Sequence, residues 1–255
     1  MLYGTRIGKK ILFTFALLFI FLVVPQKVSA ASPGTWPTTW YSYPAVGGGN
    51  IYDNADESPD NADLISVNGV HPSVFINSDG MNVFLRMRLR GNPVQSGRIA
   101  SGFWLIEIAA DNGSGTFVHV ASAGVHGGNP TNVYVAPAVG TTYTTVYGNV
   151  TSNGAHVRVT PTNDGYNHFF LDFQVPISSI NQVSGLSGKP VITTTTPVKI
   201  FFGTSTNPNS IGKDFMIGNS VSFANLAPVV PNNIPGSLAP EITVTKTGPT
   251  SAYAG

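Results

Sequence analysis

The chain has 255 residues, a formal net charge of +1, 28 glycines, 19 prolines and no cysteine. The absence of thiols excludes disulfide bonds, thiolate metal sites and cysteine nucleophiles. Because the composition offers no strong basic field, nucleic acid is not expected as a partner.

The first thirty residues have the order of a secretory signal peptide. Basic residues within 1–10 precede an uncharged apolar run over 11–24, and Val28-Ser29-Ala30 forms a small-residue cleavage site. The run is shorter than the roughly 20 residues that a membrane-spanning helix needs. We therefore predict a signal peptide over 1–30, a secreted or cell-surface location and no membrane span after cleavage. The alternative is an uncleaved N-terminal anchor.

Cleavage after Ala30 makes the mature chain acidic. Residues 1–30 hold four of the thirteen basic residues and none of the twelve acidic ones, so nine basic and twelve acidic side chains remain, a net charge of −3. The remaining chain, about 200 residues long, can bury a sufficient core without disulfide bonds.

Short alternating runs between turn residues fill the chain after the signal, which predicts an all-β fold. The clearest strand is Met81–Arg90, and Asp79-Gly80 before it predicts a hairpin with Ser73–Ile76. Gly102–Ala109 is apolar on both faces apart from Glu107, which predicts a central strand. The other predicted elements are strands at Thr116–Ala121, Asn132–Val135, Tyr143–Val150, Ala155–Thr160, His168–Val175 and Val198–Gly203, and a single helical turn at Pro176–Ile180.

The pattern predicts one domain, residues 31–226, built as a two-sheet antiparallel β-sandwich of the jelly-roll or immunoglobulin-like type. Residues 227–240 hold four prolines and no charge, which predicts a stiff linker. Residues 241–255 restart the alternation and predict the first strand of an immunoglobulin-like repeat. Because a lone strand is not stable by itself, we expect the repeat to be truncated or to pair with another body.

Two stretches resemble known families. Residues 241–255, EITVTKTGPTSAYAG, resemble the opening of the domain of unknown function 11, an immunoglobulin-like repeat of bacterial surface proteins. Asp63–Pro93, with its VFLRMRLRGNP core, and Ile200–Phe215 resemble the N-terminal sandwich often placed ahead of such repeats. More distantly, the Asp-Gly hairpin and the strand after it are similar to carbohydrate-binding module family 9 and its relatives. The resemblance implies a surface sandwich and leaves the ligand open.

The acidic loop, residues 53–63, concentrates five of the twelve carboxylates and predicts a structural calcium site. Ca²⁺ takes six to eight oxygen ligands, and we expect Asp53, Asp56, Asp60 and Asp63 to supply some of them. The spacing does not match an EF-hand, which needs glycine where Ser58 stands. The alternative is a solvated loop whose Asp and Asn residues cap turns. No other cofactor is expected.

An aromatic cluster follows the signal and comprises Trp36, Trp40, Tyr41 and Tyr43. Flat rings stack on sugars and are enriched at binding sites, so these residues are candidates for holding a ligand. Alternatively, they clamp the N-terminal segment across the edge of the sandwich.

An arginine stripe, Arg86, Arg88 and Arg90, shares one strand face with Phe84. Guanidinium groups beside a ring can bind carboxylates, sulfates or sugar hydroxyls, so the stripe is a second candidate binding surface. Alternatively, the arginines pair with Glu107, Asp172 or other carboxylates on neighbouring strands.

The sequence lacks G-x-S-x-G and H-E-x-x-H motifs, and its five histidines are scattered, so we do not expect an enzyme. The function expected is an exported cell-surface or secreted binding or adhesion module, with a glycan or another host or cell-surface ligand as partner. The alternatives are a structural wall- or layer-forming protein without a small ligand, and an accessory module of an extracellular hydrolase.

Overall fold

The computed structural model of the chain describes residues 35–54, 56–67, 70–95, 98–99, 103–110, 117–122, 133–137, 156–186, 191–206, 211–218 and 222–234. Strands dominate these residues. In chain order they are β1 (Tyr41–Ser42), β2 (Val74–Ser78), β3 (Asn82–Leu89), β4 (Val94–Gln95), β5 (Arg98–Ile99), β6 (Phe103–Ala110), β7 (Phe117–Ser122), β8 (Val133–Pro137), β9 (Val157–Pro161), β10 (Phe169–Pro176), β11 (Val198–Ser205) and β12 (Asp214–Phe215). One α-helix, α1, spans Ile177–Leu186, and short 3-10 turns span Asp60–Ala62 and Pro231–Asn233 in the described part of the chain.

The strands form two antiparallel sheets, which confirms the predicted two-sheet β-sandwich. The first sheet has the order β1-β2-β3-β10-β9 and the second the order β12-β11-β6-β7-β8, while β4 and β5 form a small separate hairpin. The chain therefore crosses from the first sheet to the second after β3, returns for β9 and β10, and crosses again to β11.

Alternate residues of β3 face the core, as the sequence predicts. Val83, Leu85, Met87 and Leu89 are buried in the core, and the residues between them lie on the outer face of the first sheet. Burial of each such side chain stabilises the fold by roughly 1.5–3 kcal/mol. The hairpin before it is also confirmed: Gly80 has φ +80°, and β2 pairs with β3 across the turn.

Strand β6 lies at the centre of the second sheet, as its two apolar faces predict. It pairs with β11 on one side and β7 on the other. Trp104 on this strand is fully buried, as are Phe202 on the same face of the neighbouring β11 and Phe173 on β10 in the first sheet. These large side chains fill the space between the two sheets.

Five of the other six predicted strands are confirmed as β7 to β11, and Tyr143–Val150 lies outside the described residues. Strands β1, β4, β5 and β12 were not predicted because two residues are too few to show alternation. The single helical turn expected at Pro176–Ile180 is wrong in extent. Pro176 still pairs with Asn82 as the last residue of β10, and the helix runs for ten residues after it because Ile177 and Ile180 bury one side of it.

The sandwich continues beyond residue 226, where we predicted that a linker begins. Val229 exchanges two backbone hydrogen bonds of 2.8 Å with Val198, and the Asn232 amide donates to the Thr194 carbonyl at 2.9 Å. Ile234 is 2% exposed. Residues 227–234 therefore belong to the domain, which corrects the boundary predicted at 227.

All described residues lie in one unit, Ala31–Gly255. The expected signal peptide and the expected repeat at 241–255 lie outside them and stay predictions. Within the described residues, no helix combines the length and the hydropathy that crossing a membrane requires.

Candidate functional site

The arginine stripe lies on the outer face of the first sheet and is held by carboxylates. Asp172 on β10 stands in register between Arg86 on β3 and Arg158 on β9. Arg86 donates to the two Asp172 oxygens at 2.6 and 2.8 Å, and Arg158 donates to Oδ2 at 2.8 Å. The Asp172 side chain is fully buried. Of the partners expected for the stripe, Asp172 is confirmed, whereas Glu107 lies on β6 in the other sheet.

Aromatic rings complete the packing of these guanidinium groups. The Arg86 guanidinium carbon lies 4.0 Å from the centre of the Trp40 ring and 4.2 Å from that of Phe170. Arg158 lies 4.6 Å from the centre of the Trp36 ring. The N-terminal segment, residues 35–42, is thus held against the outer face of the first sheet, which matches the clamping alternative for Trp36 and Trp40.

The other two arginines of the stripe also have partners. Arg88 is 3% exposed, forms an ion pair with Asp164 and donates to the Pro72 carbonyl at 3.3 Å. The side chain of Arg90 is 43% exposed, and its Nη1 lies 3.4 Å from Asp63 Oδ2. Arg90 is therefore the member of the stripe that reaches solvent and the acidic loop.

Tyr43 lies in the core, where its hydroxyl forms hydrogen bonds with two backbone groups. The hydroxyl donates to the Ala227 carbonyl at 2.8 Å and accepts from the Ile200 amide at 2.9 Å. Burial raises the pKa of this phenol well above its ordinary value. Because the ring is fully buried, Tyr43 offers no surface to a ligand.

Two residues of the aromatic cluster line an open cleft, which we call the aromatic cleft. It has a volume of about 310 Å³ and lies between the N-terminal segment and the turn that joins β2 to β3. The cleft is lined by the aromatic residues Trp36, Tyr41 and Phe84 and by the polar residues Asn77, Ser78 and Asp79. The Trp36 and Phe84 rings are 6.3 Å apart. The Asn77 amide donates to the Thr39 carbonyl at 2.6 Å, which fixes one wall.

The structure brings together a second group, the carboxylate cluster: Asp53, Asp56, Glu57, Asp63 and Asp214. Carboxylate oxygens of Asp53, Asp63 and Asp214 lie within 4.8 Å of one another, and so do those of Asp56, Glu57 and Asp214. Asp63 is fully buried and Asp214 is 2% exposed. Three of the four residues that the sequence suggested for calcium are therefore in the cluster.

The fourth, Asp60, lies outside both groups of close oxygens. Its side chain is 63% exposed and its Oδ1 lies 3.6 Å from Arg90. The 3-10 turn Asp60–Ala62 directs it towards solvent while Asn61 and Ala62 are buried.

The second sheet and the chain just after β3 position the acidic loop. Trp104 on β6 donates its indole N–H to the Asn61 carbonyl at 3.0 Å, and Thr204 on β11 donates to the Ala62 carbonyl at 2.7 Å. A side chain at Gly91 would place its Cβ 2.8 Å from an atom of the loop, so glycine permits the close approach. Packing rather than local sequence therefore fixes where these carboxylates lie.

The surroundings of Asp53, Glu57, Asp63 and Asp214 disfavour ionisation of these carboxyl groups. Burial, followed by repulsion from neighbouring carboxylates, raises the pKa of Asp53 to about 9. Burial likewise raises the pKa of Glu57 to about 8 and that of Asp214 to about 7. The pKa of Asp63 is also raised by burial, against the opposing effect of Arg90. Among the described residues, too little positive charge lies beside these carboxyl groups for all of them to ionise readily.

Sequence reasoning missed Asp214 and Glu57. Asp214 is 151 residues beyond Asp63 and belongs to a two-residue strand, so no spacing rule relates it to the acidic loop. Glu57 was one of the five carboxylates of the stretch but was not selected. Its presence in the same short stretch was the signal that could have included it.

The class of protein that the fold defines is an all-β, two-sheet sandwich with an aromatic cleft on one sheet and a carboxylate cluster where the acidic loop meets β12. Comparisons with protein-family models, with curated proteins and with solved structures find no match to this chain. The resemblances to the domain of unknown function 11 and to carbohydrate-binding module family 9 therefore stay predictions.

Proposed function

We propose that the chain is an exported, non-catalytic binding module that acts at the cell surface or after secretion and takes a carbohydrate ligand in the aromatic cleft. The observation that carries the proposal is the composition of that cleft, which is lined by the aromatic residues Trp36, Tyr41 and Phe84 together with Asn77 and Asp79. Rings offer flat apolar faces to sugar rings, while amide and carboxylate oxygens accept hydrogen bonds from hydroxyls.

The size and the support of the cleft favour this function. Its volume of about 310 Å³ is at the lower end of the range that small-molecule sites occupy, which suits one or two sugar units. Trp36 is held by Phe84 and Arg158, and Asn77 is held by the backbone of Thr39. Side chains that are already ordered lose little conformational entropy on binding.

The test is binding of the purified mature protein to a glycan array. We expect saturable binding that falls at least tenfold in Trp36→Ala, because loss of a central aromatic residue commonly costs more than about 1.4 kcal/mol. Trp36→Phe keeps an aromatic face and should retain part of the affinity. Melting temperatures of the variants separate lost binding from lost folding.

Tyr52→Ala is the matched control, since it removes a ring that is 40% exposed and does not line the cleft. Its binding should equal that of the unchanged protein. A protein that binds no glycan but assembles into ordered layers would contradict the proposal and support the structural alternative.

A further inference from the structure

The carboxylate cluster contains buried oxygens that the protein leaves without partners. Asp53 Oδ2, Glu57 Oε2 and Asp63 Oδ1 are buried and have no hydrogen-bond partner among the described residues. Asp63 is fully buried, and one of its oxygens belongs to the group that lies within 4.8 Å of Asp53 and Asp214. Native proteins satisfy nearly all buried polar atoms, so these oxygens call for a partner that the described residues do not supply.

The positive charge beside the cluster, among the described residues, is smaller than the negative charge that its five carboxylates carry when ionised. Arg90 forms an ion pair with Asp63, but its side chain is 43% exposed and it also faces Asp60. The contact with Asp63 is 3.4 Å and uses Oδ2, which leaves Oδ1 free for another partner. Once ionised, these carboxylates only accept hydrogen bonds, so a cation is a fitting partner for the remaining oxygens.

The spacing of the oxygens suits one bound cation. Oxygens that bind a single Ca²⁺ at 2.3–2.6 Å lie at most about 5 Å from one another. Asp53, Asp63 and Asp214 meet this limit, since one carboxylate oxygen from each lies within 4.8 Å of the other two. We propose that these three residues hold a calcium ion, with Asp56 and Glu57 at its open side.

The chemistry of the donors selects calcium over other metals. All five side chains offer hard oxygen, and neither group of possible ligands contains histidine. Magnesium demands near-octahedral geometry and keeps several waters, which a buried set of crowded carboxylates does not favour. Calcium accepts irregular sets of six to eight oxygens, so water and backbone carbonyls can complete its shell.

The ion would tie the acidic loop to both sheets. Leu64, next to Asp63, bridges to Leu89 in the first sheet, and its amide also donates to the Asp214 carboxylate in the second. At Gly203, on the strand beside β12, an added Cβ would lie 2.6 Å from the Asp214 carbonyl oxygen, so glycine permits this close approach. A cation shared by Asp63 and Asp214 therefore cross-links the two layers of the sandwich.

The test is the thermal stability and calcium binding of the purified mature protein after treatment with chelator. We expect one Ca²⁺ per chain by calorimetry and a rise in Tm of about 5–10 °C when Ca²⁺ exceeds its Kd a hundredfold. Magnesium at the same concentration should raise Tm less. Terbium bound in place of calcium should show luminescence sensitised by Trp104, whose indole contacts the loop at Asn61.

Asp214→Asn should weaken calcium binding at least tenfold, because it removes a charge shared by both groups of oxygens. The metal-free variant should still fold, since the amide keeps one acceptor and relieves carboxylate repulsion. Asp60→Asn is the matched control from the same loop, and it should retain the full calcium response because its side chain lies outside the cluster.

An unchanged Tm and no heat of binding would overturn the calcium site, and so would an equal response of Asp214→Asn and the unchanged protein. This inference does not rest on the proposed function, because the carboxylate cluster and the aromatic cleft have no lining residue in common.

Discussion

Asp172 lies at the centre of the ion-pair network on the outer face of the first sheet. Two guanidinium groups bind its oxygens, and the rings of Trp40, Phe170 and Trp36 cover those guanidinium groups. A carboxylate in this position is fully compensated, unlike those of the carboxylate cluster. Asp172 therefore has two guanidinium partners for one carboxylate, whereas the single Arg90 faces two carboxylates of the acidic loop.

The ion pair of Asp164 with Arg88 makes the stability of the domain depend on pH in the acid range. Burial alone would raise the pKa of Asp164, but hydrogen bonds from the Thr162 hydroxyl and the Arg88 guanidinium outweigh that effect and lower the pKa from 3.8 to about 2. Because the folded pKa lies below the unfolded one, the stabilisation is complete above about pH 5 and is lost as pH falls through about 2.

We therefore predict that Asp164→Asn lowers the free energy of unfolding at pH 7 by about 2 kcal/mol. The difference from the unchanged protein should shrink progressively as pH falls from about 4 to 2, and urea unfolding at each pH measures it. Asp60→Asn, which changes an exposed carboxylate, should cost no more than about 0.5 kcal/mol at any of these pH values. A difference that stays constant down to pH 2 would contradict the ion-pair explanation.

At the scale of elements, the backbone edge of β11 that faces away from β6 has no long strand beside it among the described residues. A two-residue strand and a side chain supply hydrogen-bond partners there. Strand β12 pairs with only Gly203 and Thr204, and the Ile200 amide is met by the Tyr43 hydroxyl from the chain just after β1. This contact joins the start of the first sheet to the edge of the second. It explains why a tyrosine of the aromatic cluster lies in the core.

We predict that Tyr43→Phe destabilises the domain by about 1–3 kcal/mol without changing its fold, because the Ile200 amide and the Ala227 carbonyl each lose a buried partner. Chemical unfolding measures the loss, and an unchanged circular dichroism spectrum shows that the fold is kept. Tyr52→Phe serves as the control, since it removes a hydroxyl from an exposed ring. A loss of equal size in both variants would count against the buried hydroxyl.

Strand alternation could be predicted wherever one face of a strand is buried and the run is long enough to show the period. Strands β3 and β10 satisfy both conditions, and the sequence identifies them; β6, which is buried on both faces, is identified by its continuous apolar run instead. Strand β12 has two residues and could not be identified, although it supplies Asp214. The extent of α1 was also missed, because its polar residues give weak local preference and burial of Ile177 and Ile180 supports it.

At the scale of the whole molecule, residues 227–234 close the sandwich. Their backbone pairs with β11 at Val198 and their side chains enter the core at Ile234. Proline-rich composition indicated a linker, but proline is also compatible with extended segments that pack on an edge. The tertiary contacts therefore decide where the domain ends.

A chain of residues 31–226 should melt about 10 °C below a chain of residues 31–234, because it loses the burial of Val229 and Ile234 and the partner of the Tyr43 hydroxyl. Differential scanning calorimetry of both chains, each compared with the mature chain ending at Gly255, makes the measurement. Equal melting temperatures for the two shortened chains would show that residues 227–234 act as a linker.

The sequence by itself determined the fold class, because two-residue alternation between turns allows apolar side chains to be buried only between sheets. It also indicated the acidic loop and the residues that could form a ligand surface. Only the tertiary structure decided which of these residues meet. Asp214 joins Asp63 because two distant strands place them together, Trp36 lines a cleft while Tyr43 enters the core, and Arg86 is neutralised by its partner on β10. Such contacts depend on long-range packing, which leaves no local periodicity in the chain.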